Sequence, residues 1–144
     1  MAAFRDRGFV GEESLTLVSS AEEIRMVGEI ACLGDIAISV DKVLAILGGE
    51  GESALVHTVE YAYNACVRGH GNLLRHDNAE HYANPDWHHR HEFNWRTGEQ
   101  TALVWVGEEG WPTLGDFIDE IEDWYRTHAA ELPNPDAFPQ LGLR

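Results

Sequence analysis

The chain has 144 residues, the size of one ordinary domain, and its 44% hydrophobic content, with five Trp and five Phe, excludes a disordered polymer. A net charge of −15, spread along the chain, opposes indiscriminate binding to nucleic acid or anionic lipid. No apolar run approaches the ~18 residues of a membrane span, and residues 1–13 hold no signal-peptide apolar core, so a cytoplasmic protein with no membrane partner is expected. The basic residues are nine Arg and one Lys, Lys42. A high-GC genome and a saline host both account for that bias.

In chain order, residues 1–20 read as a loosely ordered N-terminal segment. Ser20-Ala21-Glu22-Glu23 has the pattern of a capping box, which predicts a short helical turn. Residues 25–33 and 36–47 alternate as strands about Gly34-Asp35, a hairpin turn signal. The run breaks at Gly48-Gly49-Glu50-Gly51. The longest strand, residues 55–68, is expected to put Leu55, Val59, Tyr61, Tyr63, Ala65 and Val67 on one face, with His57 as a core or edge histidine. Cys32 and Cys66 lie inside strand-like runs and read as free thiols.

After the turn at Gly69-His70-Gly71-Asn72, a short strand covers residues 73–76. A polar loop follows to Trp87, containing Asn78, Asn84 and Pro85. Residues 89–95 form a strand whose period of two puts His89, His91, Phe93 and Trp95 on one face. Thr97-Gly98 turns into the last strand, residues 101–106. One convincing long helix spans residues 113–127, with Thr113 as N-cap and a core stripe of Phe117, Ile118, Ile121 and Trp124. Residues 133–144 read as an extended, Pro-containing tail. The sum is a single α+β domain over residues 1–144. An antiparallel meander of about six strands is covered on one face by the C-terminal helix, and the other face is wet or meets a partner. A closed barrel is the alternative.

Six of the eight histidines fall between His70 and His91. Imidazole titrates near neutrality, so this segment is the place for acid–base or metal chemistry, against the alternative of a His-rich surface loop. Strand alternation puts His89 and His91 side by side. Metal-free RNA cleavage would take its acid and base from those two imidazoles. Arg75 would clamp the phosphate and Asp77 would orient one histidine. Arg90, Asn78 and His88 would add substrate contacts. A metal reading uses His89 and His91 with His76 or His81, plus a carboxylate, to hold Zn²⁺ or Ni²⁺. A third reading makes the sheet a non-enzymatic docking module.

Three segments carry a family resemblance: Val59-Glu60-Tyr61-Ala62-Tyr63-Asn64, then Leu74-Arg75-His76-Asp77-Asn78, then Trp87-His88-His89-Arg90-His91. In this order they resemble the TumE-like toxins of prokaryotic toxin–antitoxin pairs. Those proteins carry Arg-Tyr-Asp-Asn followed by Pro-His-His-Lys-His. His76 stands here in place of Tyr, Trp87 in place of Pro and Arg90 in place of Lys. The opening hairpin and the helix after Pro112 also look like the family's, so the resemblance spans roughly residues 24–126. It implies a toxin that acts on RNA with no required cofactor. It also implies pairing with a helix-turn-helix antitoxin, in a homo-oligomer or hetero-complex.

Overall fold

The computed structural model describes residues 1–48, 55–78, 88–107 and 110–142. Chain order is helix α1 (Ala2–Asp6), strands β1 (Val10–Glu13), β2 (Thr16–Ser19), β3 (Glu23–Cys32), β4 (Ile36–Gly48), β5 (Leu55–Val67), β6 (Asn72–Asp77), β7 (His89–Phe93) and β8 (Gln100–Trp105), then helix α2 (Leu114–His128) and a 3-10 turn, Ala129–Glu131. The strands form one open antiparallel sheet in the order β1-β3-β4-β5-β6-β7-β8, with β2 also on β3. The α+β class stands, with eight strands among the described residues instead of six.

The two added strands lie in the N-terminal segment. β1 pairs with the end of β3 and β2 with its first half, one after the other along the same edge. The chain between them passes over Gly28, where an added Cβ would lie 2.5 Å from Ser14 O, so only glycine fits. The Ser20 pattern caps a turn, as expected, but of a hairpin. Ser20 Oγ accepts from the backbone N–H of Glu22 and Glu23 at 3.3 and 3.2 Å, and the chain enters β3 instead of a helix. The β3–β4 connection is Leu33–Asp35, with Gly34 and Asp35 both at positive φ.

β4 and β5 run antiparallel in regular register from Ile36↔Val67 to Val43↔Glu60, and then Leu44 pairs with Thr58. Val59 is therefore the extra residue of a β-bulge, which reverses the faces of everything before it. Tyr61, Tyr63, Ala65 and Val67 are buried as expected, whereas Val59 and His57 are exposed.

Helix α2 covers one face of the sheet. Thr113 caps it by a reciprocal capping box with Asp116, both bonds 3.0 Å. Phe117, Ile118, Ile121 and Tyr125 are buried against Ile36, Ile38 and Val40 of β4 and Tyr63 of β5. Trp124 is only half-buried and stacks on His128 at 4.6 Å. Cys32 and Cys66 are free thiols. No helix among the described residues is long and apolar enough to cross a membrane.

Candidate metal centre on the uncovered face

Registers place β6 between β5 and β7, with Asp77 opposite Ala62 on one side and His89 on the other, and Arg75 opposite Asn64 and His91. Residues that face each other across antiparallel strands share a face. Asp77, Arg75, His89 and His91 therefore project together, away from α2. His76 and Arg90, each one residue out of step, project toward α2.

The carboxylate of Asp77 is the hub. Its Oδ1 lies 2.8 Å from His89 Nε2. Its Oδ2 accepts from Arg75 Nε at 2.8 Å and lies 3.4 Å from His91 Nε2. Arg75 and His91 thus meet at one oxygen. His91 Nδ1 donates to Gln100 Oε1 at 2.8 Å. With Nδ1 given to that oxygen, Nε2 is the ring atom that faces the carboxylate and would ligate a metal. A metal-ligating histidine is held in this way, its outer N–H given to an oxygen of the surrounding shell.

Asp77, His89 and His91 are all buried, and their ligand atoms lie within 4.8 Å of one another. Around Zn²⁺, with ligands at about 2.0–2.1 Å, the edge of a tetrahedron is roughly 3.3 Å. The 3.4 Å edge between His91 and Asp77 already matches that, and side-chain rotations of an ångström or so would widen the 2.8 Å edge from Asp77 to His89 and narrow the third. The rings are walled by Trp105, 5.0 Å from His89, and by Phe93, 6.2 Å from His91. Asp77 and Arg75 also line an open cavity of about 220 Å³, together with Arg25, Asp41, Glu60 and Asn78.

The other histidines go elsewhere. His76, expected as a ligand, lies on the helix face, where its ring meets Phe117 edge-on at 6.0 Å and its Nε2 lies 3.3 Å from Arg90 Nη1. Burial, reinforced by the Arg90 charge, pushes its pKa down to about 4, so the ring is neutral at pH 7. Arg90, expected at the substrate, instead pairs with Glu92 and Glu120 beneath α2. Asn78 has a structural role: its side chain accepts from Tyr61 N–H and donates to Val59 O, both at 3.0 Å, and so extends the β5–β6 ladder. His88 lies 3.1 Å through Nδ1 from the Tyr61 hydroxyl and stacks on Trp111 at 4.8 Å. His81 lies outside the described residues.

Sequence reasoning missed Gln100, Trp105 and the stack of Tyr61, His88 and Trp111. Gln100 has no local signature, since its place beside His91 arises only from the β7–β8 register. Comparisons with protein-family models, with curated proteins and with solved structures find no match.

Proposed function

We propose that this protein is a metal-dependent hydrolytic enzyme whose ion is held by Asp77, His89 and His91. The observation that carries this reading is the convergence of their three buried ligand atoms, with His91 oriented by Gln100. Two imidazoles and one carboxylate suit Zn²⁺ or Ni²⁺ and leave a coordination position open. Such an ion supplies Lewis acidity and brings the pKa of a water near neutrality. The chain's own contribution is Arg75. Its Nε holds Asp77 in place, and the rest of its guanidinium borders the cavity, where it would orient an anionic part of the substrate. Metal analysis and titration of the purified protein test the proposal. Near-stoichiometric Zn²⁺ or Ni²⁺, removed by chelator and absent from His89→Ala, is expected. A folded protein that takes up neither ion at micromolar concentration sinks it.

A second reading follows from the resemblance to TumE-like toxins: a metal-free ribonuclease, held silent by a helix-turn-helix antitoxin. In its favour, Arg75 and His91 touch the same Asp77 oxygen, so a cation and an imidazole lie within reach of one phosphate. Against it, His89 is 0% exposed and cannot touch a 2′-hydroxyl. Expression without an antitoxin, followed by RNA cleavage assays in EDTA, separates the two readings. Cleavage that persists in chelator supports the toxin reading. Cleavage that stops and returns with Zn²⁺ or Ni²⁺ supports the metal centre.

A further inference from the structure

We propose that a second cavity, on the helix-covered face of the sheet, binds a small oxyanion, a phosphate or carboxylate group, through Lys42, Thr58 and Tyr63. The cavity holds about 290 Å³ and is closed on the helix side by Trp111, Pro112 and Thr113. Lys42 lies on β4 opposite Tyr61, and Thr58 lies on β5 opposite Leu44. The bulge at Val59 is what turns Thr58 onto the same face as Lys42 and Tyr63.

Lys42 and Thr58 are half-buried, and Tyr63 lies beneath them in the core. Tyr63 is 0% exposed, and its hydroxyl is buried with no hydrogen-bond partner. Neither the Lys42 ammonium nor the Thr58 hydroxyl pairs with any group among the described residues. Buried polar groups are almost always satisfied, so the Tyr63 hydroxyl calls for a partner in the cavity, and the half-buried Lys42 ammonium beside it favours an anion. Lys42 is the chain's one lysine, and no carboxylate among the described residues pairs with it. Burial alone moves the Lys42 pKa downward, a cost that a bound anion would offset. The α2 N-terminus adds little, because Asp116 already occupies it. A cavity of this volume is at the small end of ligand sites, about 300–1,000 Å³, so the occupant is a small molecule and not a nucleic-acid strand.

The test is titration of the full chain, dialysed against EDTA to silence the other face, with inorganic phosphate in one arm and citrate in another. Chemical shifts and melting temperature are followed. Saturable shifts confined to Lys42, Thr58, Tyr63 and the Trp111 indole are expected with at least one anion, and the arm that saturates names its class. Lys42→Met keeps the apolar stem and removes the charge, so it should weaken binding about tenfold or more. Tyr63→Phe removes an unsatisfied hydroxyl. Without ligand it should melt no lower than wild type, and with ligand it should gain less. Equal binding by wild type and Lys42→Met overturns the proposal. So do shifts centred on Arg75, or no saturation by either anion up to roughly 50 mM.

Discussion

The two faces of β6 and β7 come from the same two short strands yet hold their charges differently. On the helix-covered face, the His76 imidazole is neutral and Arg90 is answered by the carboxylates of Glu92 and Glu120. On the uncovered face, one step along each strand, Asp77, His89 and His91 turn ligand atoms toward a common point, and Arg75 pairs with the carboxylate. The first face pairs fixed charges beneath a helix, whereas the second gathers three metal-ligating atoms. Strand alternation is therefore what divides a histidine-rich stretch into packing and chemistry.

The sharpest way to break this contrast is to remove ligands from one face at a time. Asp77→Ala or His89→Ala should lower divalent-metal affinity by more than ~100-fold, beyond the 10–100-fold usual for a mere supporting contact. His76→Phe, on the other face, should leave metal affinity within about threefold. Calorimetric titration of the three variants measures both, and a metal loss in His76→Phe equal to that of Asp77→Ala would erase the distinction between the faces.

The helix face is tested by stability. Ile121 is 1% exposed, at the centre of the α2 contact. Ile121→Ala should cost about 2–5 kcal/mol in denaturant unfolding. A loss below about half a kcal/mol would show that α2 is a loose cover and not the core.

Acid sharpens the comparison further. His76 in the folded protein has its pKa lowered from 6.5 to about 4 by burial and by Arg90. Between those values the unfolded chain binds the proton and the folded one does not. This group's contribution is therefore present above about pH 6.5 and lost as pH falls toward 4, by about 3 kcal/mol at 1.36 kcal/mol per unit. In His76→Phe the acid slope of stability across that window should flatten by a similar amount. An unchanged slope would mean that the ring is protonated beneath α2.

Much of this arrangement was legible in the sequence, because alternation and turn chemistry are local. Gly34-Asp35 marked the hairpin, period two put His89 beside His91, and the stripe from Phe117 to Ile121 marked the face of α2. What was not legible depends on pairing. Leu17 and Val18 are exposed, at 66% and 64%, so β2 has no burial pattern and is a strand only because β3 receives it. The bulge at Val59 inserts one residue into a regular run and sends His57 and Val59 outward with no compositional sign. His76 and Asp77 are adjacent, and only the β5–β6 register says which one faces the histidines.

The smallest effect is expected at Gln100, and it tests whether the uncovered face is organised for a metal or merely crowded. Gln100 accepts from His91 Nδ1 at 2.8 Å. If its role is to hold the His91 tautomer, Gln100→Ala should weaken metal binding about 10–100-fold while stoichiometry stays the same. Gln100→Glu keeps an acceptor oxygen and adds negative charge near a cation, so it should restore or exceed wild-type affinity. Because Gln100 is exposed, neither change should move stability of the metal-free protein by more than about 0.5 kcal/mol. A matching loss in both variants would show that the amide matters for packing of β8 and not for the orientation of the imidazole. The uncovered face would then be a buried charge cluster with no selected ion geometry.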